Sequence, residues 1–264
     1  MTHISSEFLL THIYQKISSD TADEMIQKLH NALHKNESVW VSFVYFAALE
    51  MSGWYTNTPE FMYQIALQKT DIILADGIAF RLLHYAFFHP EIPRWKLLLY
   101  YRNYSKLAVE NLNGTDFIPK LLQSFHGQNI NLALYGTTSE TLPKALAFAR
   151  EQFGLSSVVG AHGYAPFPME LLQGDAPTIL LVGLGTPRQE MWILEHLDIL
   201  KKRGNILVFG VGGLFDFWGG REKRAPVIFR KLGMEWLWRL MSFPRKNFRK
   251  ALSSFKFFGY LFTR

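Results

Sequence analysis

Residues 178–190 read Thr178-Ile179-Leu180-Leu181-Val182-Gly183-Leu184-Gly185-Thr186-Pro187-Arg188-Gln189-Glu190, and the order of residue types in this stretch decides the fold. Thr178 to Val182 is an unbroken β-prone run, which describes a strand covered on both faces rather than one with a wet side. Two glycines end the run. Pro187 then stands where a helix begins, its missing N–H and fixed φ suiting the first helical position, and a helix through Ile193 and Leu197 comes next. The layout recurs along the chain. Ile72 to Ala75 ends at Asp76-Gly77, and Ile130 to Tyr135 ends at Gly136-Thr137-Thr138 before a helix over Thr141 to Phe153. Ser157 to Val159 ends at Gly160, and Ile206 to Phe209 ends at Gly210-Val211-Gly212-Gly213. Short buried strands alternating with helices predict an α/β fold whose strands run parallel and are joined by crossovers. Such sheets bind ligands beyond the carboxyl ends of their strands, so the residues closing each run are the candidates for chemistry.

Gly183 and Gly185 begin a dinucleotide-type fingerprint, but Arg188 occupies the third glycine's place and no ribose-binding acid follows a second strand. A nicotinamide cofactor is therefore not expected. The turn can instead present backbone amides to a diphosphate at the start of a helix, with Gln189 and Glu190 within reach of a sugar or ribose. It can equally be a tight strand-to-helix connection in which Glu190 complements the helix dipole. Gly210, Gly212 and Gly213 permit positive φ and close backbone approach to a ligand. Asp216, just beyond, can accept hydrogen bonds from a uracil or ribose, or cap a turn. Asp76 ends an apolar strand where partial desolvation would make its carboxylate a better base. It can also cap the helix that starts near Ile78.

No metal centre is expected. His84 and His89 are five residues apart and do not share a helix face, His162 is isolated, and no Asp-x-Asp pair occurs. The chain has no cysteine, which removes disulfides, thiolate ligands and a thiol nucleophile. P-loop and Gly-x-Ser-x-Gly motifs are also missing, against a nucleotide triphosphatase or serine hydrolase.

With 264 residues, 48% of them hydrophobic and 15% aromatic, the chain can bury one large core. The net charge of +6 is unevenly placed: Arg221 to Arg264 holds 12 Lys/Arg against two acids, leaving 16 against 20 in residues 1–220. Such a basic block meets an anionic partner, whether lipid headgroup, phosphate or nucleic acid. Beyond Pro244, Phe248, Leu252, Phe255 and Phe262 recur near helical spacing beside Arg245, Lys246, Arg249 and Lys250. That pattern fits an interfacial membrane helix and also a terminal helix with a solvated basic face. The start of the chain does not read as a signal peptide. The longest uncharged apolar run, Ser38 to Leu49, is shorter than the ~20 residues of a membrane-spanning helix.

Together, these segments resemble the WecG/TagA/CpsF glycosyltransferase family. The resemblance rests on Ala75-Asp76-Gly77, Asn113-Gly114-Thr115-Asp116-Phe117, Val159-Gly160-Ala161-His162-Gly163-Tyr164, and Val182 to Glu190. It continues through Gly210 to Arg249, with Arg224-Ala225-Pro226 and Gly233 to Leu240 inside it. The resemblance implies a Rossmann-like core (residues 1–220) and a basic, helical, membrane-associating C-terminal appendage (residues 221–264) that completes the active site. It implies an inverting, metal-independent and cofactor-independent transfer of an N-acetylmannosamine-like or uronic sugar from a UDP-sugar to a polyprenyl-diphosphate-linked sugar in envelope polysaccharide or teichoic acid synthesis. Asp76 would be the general base. UDP would lie against Gly136, Gly183, Gly185, Gly210, Gly212 and Gly213, with Gln189, Glu190 and Asp216 nearby. Arg239, Arg245 and Arg249 would face diphosphates, which guanidinium forks suit.

The chain departs from the family pattern in having Tyr45 in place of an Asn and Asn111 in place of an Arg, and residues 84–110 are long and rich in Tyr, Trp and Arg. These departures keep a second reading open, a non-catalytic nucleotide-sugar or polyprenyl-phosphate binding subunit. Nucleic acid is not an expected partner, since no base-reading motif occurs; a homo-oligomer is compatible with the sequence. The expected location is cytoplasmic, peripheral on the inner face of the bacterial membrane.

Overall fold

The computed structural model describes residues 13–52, 59–97, 107, 109–231, 235–244 and 248. Its strands are β1 (Ser38–Val44), β2 (Ile72–Ala75), β3 (Asn131–Gly136), β4 (Ser157–Ala161), β5 (Thr178–Gly183) and β6 (Ile206–Gly210). The helices used below are α1 (Ala22–His34), α2 (Phe46–Ser52), α3 (Pro59–Lys69), α4 (Ile78–Phe88), α5 (Gly114–Ser124), α6 (Leu142–Phe153), α7 (Arg188–Glu195), α8 (Leu197–Arg203), α9 (Leu214–Trp218), α10 (Val227–Lys231) and α11 (Glu235–Ser242). The six strands form one parallel sheet in the order β2-β1-β6-β5-β3-β4, the α/β architecture expected.

The apolar runs lack alternation because each side of the sheet has its own core. Val41, Phe43, Leu132, Leu134, Ile179, Leu181, Leu207 and Phe209 point to one face, where α1, α5, α6 and α9 cover them with Met25, Leu121, Ala145 and Phe215. The intervening Trp40, Ala133, Tyr135, Leu180, Val182 and Val208 point to the other, against Ala66 of α3, Ile193 of α7 and Leu200 of α8. Burying one such Leu, Ile or Phe stabilises the fold by about 1.5–3 kcal/mol. A third cluster around β2 and α4 includes Tyr63, Val44, Ala75 and Phe80. The outer edge of β2 is blunted by a bridge between Ile17 and Ile73 and the bond from Ser18 N–H to the Ile73 carbonyl, 2.9 Å.

Two sequence expectations are corrected and one strand is added. The uncharged run Ser38 to Leu49 holds central strand β1 and the start of α2; no glycine marks the end of β1, so its exit carries no signal in the sequence. The helix expected through Ile193 and Leu197 is two, joined at His196, whose ring stacks on Trp192 at 4.3 Å and hydrogen-bonds the Trp192 carbonyl at 2.8 Å. Pro187 occupies the N-cap of α7, one residue earlier than expected, after a cis Thr186–Pro187 bond.

The C-terminal segment begins docked on the core. Arg224 pairs with Asp116 in the first turn of α5, the Arg221 guanidinium lies 3.6 Å from Asp216, and Glu222 N–H donates to the Asp216 carbonyl at 2.9 Å. Beyond it, α10 and α11 pack through Phe229 and Trp238, ring centroids 5.6 Å apart, while Val227, Ile228 and Met241 are exposed. Arg239 lies on α11; Arg245 and Arg249 lie outside the described residues, as do Leu252, Phe255 and Phe262, whereas Phe248 is exposed. Among the described residues no helix is long and apolar enough to cross a membrane.

Candidate functional site

The carboxyl ends of β1, β2, β5 and β6 are neighbours in the sheet, with those of β3 and β4 alongside, and this edge gathers nearly every residue singled out from the sequence. Asp76 leaves β2 half-buried. Its N–H donates to the Val44 carbonyl at 2.9 Å, and the Ala75 carbonyl accepts from Leu112 N–H at 3.0 Å. Gly77, not Asp76, occupies the N-cap of α4, with φ +88°. The Gly77 N–H donates to Asn111 Oδ1 at 2.8 Å.

The glycines divide into two groups by what a side chain would meet. A Cβ on Gly136 would strike the Gly183 carbonyl; one on Gly183 would lie 2.6 Å from the Phe215 ring; one on Gly210 would lie 2.8 Å from Gln189 Nε2. These three let neighbouring exits pack tightly. Gly185 (φ +78°) and Gly212 (φ +56°) face open space, and Gly213 has only Asp216 Oδ2 as near as 4.0 Å. They leave backbone accessible at the sheet edge, the property a diphosphate site needs.

Gln189 and Glu190 are 3% and 1% exposed. Gln189 Oε1 accepts from Gly212 N–H at 2.9 Å, and its Nε2 donates to Glu190 Oε1 at 2.8 Å, which also accepts from Thr186 Oγ1 at 3.2 Å. Both side chains thus tie the β5 turn to the β6 turn, a buried polar network that fixes the two glycine exits against each other. Asp216, also buried, accepts from the Thr137 hydroxyl at 2.8 Å and joins the exits of β3 and β6.

Two residues at this edge were not singled out. Thr137 adopts φ +54°, a rare and costly conformation for a β-branched residue, and its carbonyl accepts from Gly163 N–H at 3.0 Å, folding the β4 exit over that of β3. Its position directly after a strand-ending glycine was the available signal. Tyr63 of α3 is 1% exposed, and its hydroxyl has no hydrogen-bond partner among the described residues. Burial, then the neighbouring Glu190, Tyr45 and Asp76, push its phenol well above the ordinary range, so it stays protonated. Nothing in the sequence places Tyr63 here, because α3 is brought to the edge by tertiary packing, on α7 and α2.

A groove of about 830 Å³ lies elsewhere, lined by Ile26, His30, Lys120 and Phe148 of α1, α5 and α6. It contains none of the residues the sequence singles out. Among the described residues no group of three His, Asp or Glu side chains is placed to hold a metal ion.

Comparison with known proteins gives a match between residues 11–264 and the model of the glycosyl transferase WecG/TagA/CpsF family. The N-acetylglucosaminyldiphosphoundecaprenol N-acetyl-beta-D-mannosaminyltransferase of Staphylococcus aureus (strain MW2) is 30% identical over 154 residues, which cover 56% of this chain and 59% of that protein. The match therefore spans less than two thirds of that relative's length.

Proposed function

Because the chain belongs to the WecG/TagA/CpsF family of glycosyltransferases, we propose that it transfers an N-acetylmannosamine-like or uronic sugar from UDP to a polyprenyl-diphosphate-linked N-acetylglucosamine. The acceptor is taken from the name of the staphylococcal relative. The observation that carries the reading is the placement of Asp76, a half-buried carboxylate at the mouth of β2, on the same sheet edge as the open turns at Gly185 and Gly212-Gly213.

In this reaction the Asp76 carboxylate takes the proton from the acceptor hydroxyl as that oxygen attacks the anomeric carbon. The new C–O bond forms as the bond to UDP breaks, and the electron pair leaves with the diphosphate, inverting the anomeric centre. Positioning reactive groups in line accounts for much of such a rate enhancement. The amide dipoles at Gly185 and Gly213 meet the departing charge, assisted by Arg239, Arg245 and Arg249 of the appendage, while Gly212, its N–H bonded to Gln189, gives the ligand room to approach. Gln189, Glu190 and Asp216 hold these turns in register, with Gly136, Gly183 and Gly210 allowing the close approach. A metal-free mechanism is supported by the missing Asp-x-Asp pair. Residues 221–264, as a basic appendage, would bring the site to the anionic membrane surface that carries the acceptor.

The test is UDP release from a panel of UDP-sugars with a short-chain prenyl-diphosphate-N-acetylglucosamine, in EDTA. Acceptor-dependent release from a mannosamine or uronic donor is expected. Saturable UDP binding without release from any donor would instead favour a binding subunit.

A further inference from the structure

We infer that Asn111 is a positioning residue for Asp76, acting through the peptide that joins Asp76 to Gly77; this rests on the reading of Asp76 as the base. Three hydrogen bonds hold the backbone from the Ala75 carbonyl to the Gly77 N–H. Asp76 N–H is held by the Val44 carbonyl and the Ala75 carbonyl by Leu112 N–H, both ladder-like backbone bonds at 2.9 and 3.0 Å. The third is different in kind. Gly77 N–H is held by a side chain, Asn111 Oδ1, at 2.8 Å.

That third bond matters because of the residue it holds. Gly77 sits at φ +88° and ψ 153°, a conformation that other residues rarely adopt, and no atom lies within 4 Å of where its Cβ would be. No side chain at Gly77 helps to orient the Asp76–Gly77 peptide; beyond it the Gly77 carbonyl accepts from Arg81 N–H at 3.3 Å. Glycine tolerates many φ values, and a turn of this peptide changes ψ at Asp76, on which the preferred rotamer of the carboxylate depends. Transfer chemistry punishes such misplacement heavily. Asn111 itself is anchored by its two successors in the chain: Leu112 pairs with Ala75, and Asn113 caps α5 through its Oδ1 on Asp116 N–H at 3.0 Å. The acceptor oxygen is thus delivered by an anchored segment to the joint between β2 and α4. Asn111 is exposed, so its replacement leaves the core intact.

Two substitutions separate the acceptor oxygen from the side chain's shape. Asn111→Leu keeps the shape and removes the acceptor; Asn111→Asp keeps the acceptor. Amide hydrogen exchange at Gly77 and steady-state transfer at pH 8 are measured on the full chain, with Asp76→Asn alongside. In Asn111→Leu we expect exchange at Gly77 to rise about tenfold and kcat to fall about tenfold or more, with donor KM and Tm little changed. Asn111→Asp should stay within about threefold of the parent in both. Unaltered Gly77 exchange in Asn111→Leu overturns the inference, as does equal loss of kcat in the two variants. If Asp76→Asn retains full activity, the base assignment fails instead, and the exchange result still decides whether Asn111 holds the peptide.

Discussion

At the scale of single residues, the edge of the sheet separates groups that support from groups that are available to a substrate. Gly183 and Gly212 illustrate this. In Gly183→Ala the new methyl meets the Phe215 ring at 2.6 Å and the Gly212 carbonyl at 2.9 Å, an overpacking that costs about 1–3 kcal/mol. In Gly212→Ala it meets nothing, and the cost is the positive φ alone, about 1 kcal/mol. Thermal unfolding should therefore show the larger loss for Gly183→Ala, while the KM for the donor should rise more in Gly212→Ala. Tyr63 gives a cleaner case. Its buried hydroxyl lacks a partner among the described residues, so Tyr63→Phe should leave Tm unchanged or raise it. A fall equivalent to the ~1 kcal/mol of a satisfied hydrogen bond would show that the hydroxyl is bonded within the protein.

At this scale the sequence was partly legible. Asp76 and the glycine exits could be found because strand runs end visibly and ligands bind at such ends. The division of labour among them could not, since it depends on contacts across strands: Gln189 reaches Gly212 over 23 residues, and Thr137 reaches Asp216 over 79. Asn111 stood out only as a departure from a family pattern. Its partner, 34 residues away, gives it a role.

At the scale of elements, five of the six strands were readable as short apolar runs with a marked end, four of them largely buried and edge strand β4 buried only at Val158. β1 was missed although it is central. It ends just before Tyr45 and runs directly into α2, so the hydrophobic signals of strand and helix fused. Helix α4 carries a consequence for pH. Burial first, partly offset by a hydrogen bond involving the Tyr14 backbone, holds the His84 imidazole below its ordinary range, where it packs against Phe88 at 4.9 Å. As pH falls below ~6.5, the unfolded chain takes up a proton at this position that the folded chain resists. The unfolded state then binds more protons, so stability must fall with falling pH. We expect Tm to decline between about pH 7 and pH 5.5, and the decline to be shallower in His84→Gln. An identical slope in the variant would assign the effect to other groups.

At the scale of the whole molecule, the charge distribution and the fold point the same way. The acidic part, residues 1–220, holds the sheet and its loaded edge; the basic part begins at Arg221 and is pinned to that edge by Arg224 on Asp116 and Arg221 on Asp216. Truncation before Pro244 removes the strongly basic end and leaves both pins. The shortened protein should retain a cooperative unfolding transition, lose transfer to a lipid-linked acceptor and bind anionic vesicles more weakly. Full activity on a lipid acceptor would separate the appendage from the reaction.

Whether Asp76 supplies the base at the open edge of the sheet is decided most directly by one comparison: kcat for acceptor-dependent sugar transfer by the parent and by Asp76→Asn, in EDTA, with Tm confirming equal folding. General-base contributions run to about 10²–10⁴-fold, so a loss of that order at unchanged Tm is expected. Transfer within a few-fold of the parent would contradict that role for Asp76 and move the proton acceptor to another residue.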